Sequence, residues 1–325
     1  DTQPQAGRSS SADYMAYLKA SVANVKKHDG VDKVILVGAG RGGNAIRNYI
    51  QNGDGAGSVS HAVLAGTPAH GVWAVKGLRE QSEFSGLSRF LTELNKPKDA
   101  TGNEVPAGVQ WQTLRSDRND KYAQPTGEWI GNPSLNTNIG PASQALKGAQ
   151  NVVLPGVDHR EAAHSPAAFG AMYNFLMGKA PETYDIKPET QATLDGVISG
   201  VEGQSAGFPS NLPLKGAHIE VWPVNAETGI RTTTAPAYTY TTTRDGRWGG
   251  FAADPKQTYE FVISASGYPT HHIYRSPFPR SSNIINFRLQ RIVHADPDAR
   301  AIVIMTRPRG YFDLRRDTMS FGRAV

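Results

Sequence analysis

A strand, a glycine-rich turn and a helix follow one another directly in the segment DKVILVGAGRGGNAIRNYI, between Asp32 and Ile50. The apolar run at 33–37 predicts a short buried strand, and the pattern after the turn predicts a helix over 43–51. A second apolar run, VSHAVLAG at 59–66, completes a strand–helix–strand unit. Such units place their strands in parallel, so we predict an α/β fold with a mostly parallel sheet and helices on both faces.

The same type of pattern extends to about residue 180. Further elements are predicted as a helix from Ser11 to about Gly30, strands at 109–116 and 151–157, and a helix from Ser165 to Met177. Apolar residues between 72 and 108 indicate one or two amphipathic helices. Core packing is the simpler interpretation of these helices, and a lid over a lipid-binding cleft is the alternative.

The pattern changes near Pro181, where short alternating strands replace the longer elements. Turn signals such as ETG at 227–229 and RDG at 244–246 separate these strands, which is typical of a β-sandwich. A length of 325 residues also favours two domains. We therefore predict an α/β domain at 1–180 and an all-β domain at 181–325. The sandwich core of the second domain lies at about 190–290, and a further strand is predicted at 301–306.

The turn GAGRGG at 38–43 matches G-x-G-x-x-G, the pattern of dinucleotide-binding turns. That function also needs an acidic residue at the end of the second strand to hold the ribose. The segment VSHAVLAGTPAHG offers none at that place. The nucleotide hypothesis is therefore disfavoured, and no cofactor is predicted.

The second interpretation of the turn is a nucleophile elbow, G-x-S-x-G, with Gly40 in the place of the serine. Small residues two positions to either side, here Gly38 and Gly42, allow such a turn to close. An acid and then a histidine should follow, each just after a later strand. Asp120 is the preferred acid, with Asp117 as the runner-up, although either could simply form a turn. His159, after the last predicted strand, is the candidate histidine.

Other side chains carry weaker signals. His164 and the pair His271 and His272 are interpreted as structural or exposed, and no histidine or acid spacing predicts a strong metal site. The chain has no cysteine, so disulfides, thiolate metal sites and a cysteine nucleophile are excluded.

With these segments in view, the first 180 residues resemble bacterial α/β-hydrolases of the lipase and carboxylesterase type. The resemblance rests on VILVGAGRGGNAIRNYI, on the turn AGTPAHG, on SDRNDKYAQP and on GVDHREAAHSP. Residues 190–290 resemble a prealbumin-like sandwich, such as the accessory domain attached to some lipases of this group. The resemblance implies a Ser-Asp-His ester hydrolase in which His159 is the general base, Asp120 orients it, and the backbone N–H of Arg41 is one oxyanion donor.

The chain departs from this family pattern in two places. Gly40 lacks the nucleophilic hydroxyl, so we expect the chain as written to be nearly inactive. We favour an introduced replacement of serine in an active enzyme, with a naturally inactive homologue as the alternative. The strands that precede the elbow in the family, including one ending in a His-Gly loop, are not recognisable before Asp32, so we expect that part of the domain to be missing from the sequence.

Charge and hydropathy limit the classes of partner. The net charge of +5 is modest and the basic residues are scattered, which argues against nucleic acid. No apolar run reaches the length of a membrane span. The resemblance implies a small or polymeric ester or lipid substrate and a secreted or periplasmic location. The second domain is expected to act as a spacer, or to bind a lipid or polymer surface through aromatic residues such as Trp222, Trp248 and Tyr268.

Overall fold

The structure is a computed structural model that describes residues 11–129, 132–202, 208–292, 302–304 and 310–311. Its residues divide into two compact units. The described residues from 11 to 184, with 304, 310 and 311, form the unit that we call the hydrolase unit. The described residues from 185 to 303 form the β unit. Residues 304, 310 and 311 thus group with the first unit, although the sequence pattern had placed them with the second domain.

A parallel sheet of four strands is the centre of the hydrolase unit. Its strands are β1 (Val34–Ala39), β2 (Val59–Ala65), β3 (Gln110–Ser116) and β6 (Gln150–Leu154), in that spatial order. All three neighbouring pairs are parallel. This arrangement confirms the α/β class that the strand–helix–strand pattern predicted.

Helices cover both faces of this sheet. They are α1 (Ser11–Asp29), α2 (Arg41–Asn52), α3 (Arg89–Leu94), α4 (Glu161–His164) and α5 (Pro166–Met177). Apolar residues of α1 and α2, among them Val22 and Ile46, pack with Leu64 of β2 in one core. Ala162 of α4 and Ala168 of α5 pack with strand residues in a second core. Residues of one strand point alternately to the two faces, which is why Leu64 and its neighbour Val63 belong to different cores.

Strand β1 lies at an edge of this sheet and pairs with β2. Ile35 is 48% exposed and Val37 is 53% exposed, an unusual degree of exposure for apolar residues of a strand. The strand that positions the glycine turn is therefore supported on one side by β2 and along its length by α1 and α2.

The region at 72–108 differs from the sequence prediction of amphipathic helices. Its only helix among the described residues is the short α3, and turns and bends make up most of the remainder. Glycines at 71, 77 and 102 adopt positive φ angles, which interrupt a helix. Leu91 and Leu94 are buried, whereas Leu87 is 45% exposed, so the apolar residues of this region only partly form a core. Two short strands, β4 (Glu128–Trp129) and β5 (Asn132–Asn136), pair antiparallel later in the unit.

The β unit consists of short, mostly antiparallel strands around one apolar core. They are β7 (Ala192–Leu194), β8 (Ile198–Glu202), β9 (Phe208–Pro213), β10 (His218–Val224), β11 (Tyr238–Thr241), β12 (Phe251–Ala253), β13 (Thr258–Ser264), β14 (His271–Arg275) and β15 (Phe287–Arg288). The largest sheet has the order β11-β10-β13-β14, and the smaller sheets have the orders β12-β7 and β15-β8-β9. These layers confirm a β-rich second domain.

Three sequence interpretations in the second half of the chain need adjustment. Strand β14 contains His271 and His272 and was not predicted as a strand. Trp248, considered as a surface aromatic, is completely buried, and its indole N–H donates to the carbonyl of Ile285 at 2.9 Å. Of the strand predicted at 301–306, residues 302–304 lie in no regular element, and the others are outside the described residues.

Candidate active site

The glycine turn joins the carboxyl end of β1 directly to the first residue of α2. β1 ends at Ala39 and α2 begins at Arg41, so Gly40 alone forms the apex. Gly40 has φ 53° and ψ −123°, a conformation that residues with a side chain adopt only at a cost in strain. This sharp strand-to-helix turn has the geometry of a nucleophile elbow.

The glycines around the apex have different reasons to be there. A Cβ on Gly38 would lie 2.8 Å from backbone atoms of Gly42 and Gly43, so the strand can approach the helix only without a side chain. A Cβ on Gly43 would collide with Thr67 at 1.9 Å from its Oγ1. A Cβ on Gly42 would meet no atom within 4 Å. Among these three positions, a side chain would therefore collide with its surroundings at Gly38 and at Gly43, a position that the elbow pattern did not single out.

His159 lies beside the apex. It follows β6 and precedes α4, and its side chain is 18% exposed. An ideal Cβ built on Gly40 would lie 3.1 Å from His159 Nε2. The ring of Tyr122 packs edge-on against the imidazole, with 4.8 Å between the ring centroids. Any side chain at position 40 would consequently meet the Nε2 atom of this histidine first.

Asp120 contacts the other nitrogen of the imidazole. Its Oδ2 lies 2.9 Å from His159 Nδ1 and accepts a second hydrogen bond from Gln144 Nε2 at 2.7 Å. The backbone N–H of Tyr122 donates to Oδ1 at 2.9 Å. Burial works to raise the pKa of Asp120, but these hydrogen bonds and the neighbouring imidazole outweigh it and hold the pKa below its usual value. An ionised Asp120 accepts a hydrogen bond from Nδ1–H, and in this tautomer the lone pair of Nε2 faces position 40.

The runner-up acid, Asp117, has a different contact. Its Oδ1 accepts a hydrogen bond from the backbone N–H of Gly156 at 2.9 Å. This bond joins the loop after β3 to the loop after β6. The structure therefore brings Asp120 to His159 and places Asp117 as a link between two loops.

Arg41 provides the first backbone N–H of helix α2, next to the apex. Its guanidinium forms an ion pair with Glu83 and lies over the ring of Tyr14, 4.4 Å from the centroid. Phe84 lies on the same side, with 5.7 Å between its centroid and the guanidinium carbon. These contacts hold the side chain while the backbone N–H stays at the positive end of the helix dipole.

An apolar cavity of about 300 Å³ opens at the apex. Gly40, Arg41 and His159 form its polar end. The rest of the lining is apolar or aromatic: Pro68, Val72, Trp73, Phe84, Tyr122 and Trp129. A small number of polar groups at one end of an apolar pocket is typical of sites for small organic ligands.

Sequence reasoning missed Gln144 and Glu83, which hold Asp120 and Arg41. Both lie far along the chain from their partners, in segments without a recognisable motif, so no local signal identifies them. Two histidines that the sequence interpreted as structural or exposed lie away from this site: His164 ends α4, and His272 contacts Glu260 of the β unit. Within the described ranges, no group of three or more histidine or acidic residues could hold a metal ion.

Comparison with known proteins gave one family match. Residues 192–292 match the family described as the lipase C-terminal domain. No curated protein sequence matches the chain.

Several solved structures are similar at a low level. The lipase BlEst2 of Bacillus licheniformis in its propeptide form is 16% identical, with a TM-score of 0.40 over 86% of this chain and 67% of that one. Its mature form is 20% identical, with a TM-score of 0.34 over 49% of this chain and 70% of that one. The product of lin2722 from Listeria innocua is 15% identical, with a TM-score of 0.36 over 55% and 73% of the two chains.

The family match and the architecture support the same conclusion. The matched residues 192–292 coincide with the core of the β unit. The preceding unit combines a parallel sheet with helices on both faces and a strand–turn–helix elbow at Gly40. The chain thus has a parallel α/β unit with a strand–turn–helix elbow, followed by residues that match a lipase C-terminal domain.

Proposed function

We propose that the chain is a carboxylic ester hydrolase of the lipase or esterase type, in which Gly40 occupies the position of the nucleophilic serine. The observation that carries this proposal is the alignment of position 40, His159 and Asp120. A Cβ at position 40 would lie 3.1 Å from His159 Nε2, while His159 Nδ1 lies 2.9 Å from Asp120. Nucleophile, base and orienting acid need this order of contacts.

With serine at position 40, the reaction would follow the two-step acyl transfer of such sites. His159 Nε2 removes the hydroxyl proton as the serine oxygen attacks the ester carbonyl. The backbone N–H of Arg41 donates to the oxygen that becomes negative in the tetrahedral intermediate. His159 then gives the proton to the departing alcohol, and a water molecule hydrolyses the acyl-enzyme by the same route in reverse.

The chain as it stands has no hydroxyl at the apex. Loss of a triad nucleophile costs about 10⁶-fold in turnover in a well-studied serine hydrolase of another fold. We therefore propose that this chain binds ester substrates and hydrolyses them extremely slowly. The apolar cavity beside His159 supports an acyl or aromatic group as the bound part of the substrate.

Two finer points belong to the same proposal. No helix within the described part of the chain is both long and apolar enough to cross a membrane. We propose a secreted or periplasmic enzyme, supported by the match of 192–292 to a lipase domain. We also propose that the β unit attaches the enzyme to a lipid or polymer surface. Polyesters are then among the proposed substrates.

The test is hydrolysis of p-nitrophenyl esters by the chain and by Gly40→Ser. An acyl series of acetate, butyrate, octanoate and palmitate measures how the apolar cavity selects the chain length. Gly40→Ala is the matched control, because it adds the same Cβ without the hydroxyl. We expect turnover in Gly40→Ser alone, and its loss when His159→Ala is added.

The alternative function is a non-catalytic lipid- or polymer-binding protein built on the hydrolase fold. The observation that favours it is the combination of an intact apolar cavity with an apex that has no nucleophile. It predicts that Gly40→Ser is folded and binds esters but does not hydrolyse any member of the series. That result would refute the proposed activity.

A further inference from the structure

The chain returns to the hydrolase unit after the β unit, and two described residues of this return contact the loop that carries His159. Gly310 is buried, and a Cβ on it would lie 2.5 Å from Asp158 Oδ2. The backbone N–H of Tyr311 donates to the same Asp158 Oδ2 at 2.5 Å. Asp158 directly precedes His159, so this docking is one residue away from the candidate base.

The ring of Tyr311 lies between two cations. Lys121 Nζ is 3.9 Å from the ring centroid, and the guanidinium carbon of Arg160 is 4.3 Å from it. Lys121 directly follows Asp120, and Arg160 directly follows His159. One aromatic ring therefore contacts the residue after the candidate acid and the residue after the candidate base.

A second set of contacts leads from Lys121 to the imidazole itself. Lys121 Nζ lies 4.9 Å from the ring centroid of Tyr122, and the Tyr122 ring packs edge-on against His159. Burial works to lower the pKa of Lys121, but hydrogen bonds to the side chains of Tyr122 and Tyr311 outweigh it and raise this pKa. Lys121 stays charged and bridges the two tyrosines as a result.

We propose that Tyr311 is a positioning residue for the His159–Asp120 pair. Its ring holds Lys121 and Arg160 on one π-system, and its backbone N–H holds Asp158, so the loops after β3 and β6 are joined beside the imidazole. This proposal rests on the proposed function, because it concerns the geometry of the same candidate triad. Tyr311 is not one of the residues that line the cavity, so its effect is on orientation and not on substrate contact.

The contacts of Tyr311 also concern charge. Lys121 and Arg160 carry like charges, and without a shared partner they would repel each other. The negative face of an aromatic ring attracts both cations. Removal of the ring leaves two cations without this partner, and the loops that carry Asp120 and His159 lose a direct connection.

A first experiment detects the hydrogen bond between His159 and Asp120 and does not depend on catalysis. Proton NMR of the chain with Gly40 unchanged detects the downfield Nδ1–H proton of His159 that is hydrogen-bonded to Asp120. We expect this resonance in the unsubstituted chain and in Tyr311→Phe, and its broadening by solvent exchange in Tyr311→Ala. Tyr173→Ala is the matched control, since Tyr173 is a tyrosine of α5 whose ring lies against Phe169.

A second experiment measures ester hydrolysis in the Gly40→Ser background. Tyr311→Ala is expected to lower kcat by about threefold to tenfold with little change in KM, as the loss of one or two cation–π contacts would do. Tyr311→Phe keeps the π face and should retain most of the activity. The double variant Tyr311→Ala/Lys121→Met should lose kcat by less than the product of the fold-losses of the two single variants, because the two residues act through one contact.

Together, the two experiments distinguish the proposed ester hydrolysis from the positioning role of Tyr311. If Gly40→Ser hydrolyses no ester while the downfield resonance depends on Tyr311, the proposed activity is refuted and the positioning role stands. If Tyr311→Ala is folded and changes neither the resonance nor kcat, the positioning role is refuted. An increase in KM alone would also refute it. Tyr311→Leu, which preserves apolar bulk without a π face, replaces Tyr311→Ala if that variant does not fold.

Discussion

A side chain at the apex of the elbow should cost folding stability, whatever it does for activity. Gly40 has φ 53° and ψ −123°, and a residue with a Cβ in such a sparsely populated conformation is strained by about 1–3 kcal/mol. The Cβ would also lie 3.1 Å from His159 Nε2, so the imidazole must move by a small amount. Gly40→Ala is therefore expected to lower the free energy of unfolding of the hydrolase unit by about 1–3 kcal/mol.

The corresponding change in melting temperature is large enough to measure. A domain of this size loses roughly 2–4 °C per kcal/mol, so Gly40→Ala should melt about 2–12 °C below the parent chain. Gly40→Ser has the same backbone strain, but its hydroxyl can donate to His159 Nε2, and a hydrogen bond recovers about 0.5–1.5 kcal/mol. We therefore expect the parent chain to be the most stable, Gly40→Ser to be intermediate and Gly40→Ala to be the least stable.

Differential scanning calorimetry is the appropriate assay, because it resolves the hydrolase unit from the β unit if the two unfold separately. Gly42→Ala is the matched control two residues away. Gly42 lies in α2, and its Cβ would meet no atom within 4 Å, so alanine there should stabilise the chain by about 0.5–1 kcal/mol. If Gly40→Ala were as stable as the parent, the elbow strain inferred from the structure would be wrong.

Three further outcomes follow from the contacts of other residues. The hydrogen bond to Glu104 outweighs burial and raises the pKa of His70, so this pair adds stability below the ordinary histidine pKa of about 6.5. That stability is lost as pH rises through the raised pKa. The free energy of unfolding, measured by urea denaturation, should therefore decline over this pH range, and His70→Asn should abolish the decline. In the serine-restored chain, Asp120→Asn should lower kcat by about 10⁴-fold, whereas Asp117→Asn should leave kcat nearly unchanged; equal losses would contradict the assignment of the acid. Trp248→Ala should cost the β unit about 3–5 kcal/mol in urea denaturation, since the ring is fully buried among Phe261 and other aromatics.

Several parts of the fold could be predicted from local patterns. The strand, turn and helix around Gly40 have apolar residues at the spacing that each element requires, so β1 and α2 were predicted to within a few residues. The change to short alternating strands after Pro181 likewise predicted the β unit. The region at 72–108 was predicted less well. Its apolar residues fit a helical period, but positive φ angles at Gly77 and Arg79 interrupt the backbone where that period begins.

The candidate site shows the same division between local and long-range information. The order of Gly40, Asp120 and His159 along the chain, each after a strand, was readable because parallel strands place their carboxyl ends at one edge of a sheet. The sequence preferred Asp120 over Asp117, but both lie in one loop after β3 and no pattern separates them strongly. In the structure Asp120 contacts the imidazole, whereas Asp117 accepts a hydrogen bond from the backbone N–H of Gly156, and these contacts favour Asp120 as the acid.

The sequence alone determined the fold class, the position of the elbow and the absence of a hydroxyl at its apex, because these depend on residue type and spacing along the chain. Only the tertiary structure showed that Gln144 holds Asp120, that Glu83 holds Arg41 and that Tyr311 contacts the residues that follow Asp120 and His159. Such contacts join residues from 24 to 190 positions apart. They follow from how strands and loops pack in space, and a one-dimensional pattern carries no record of that packing.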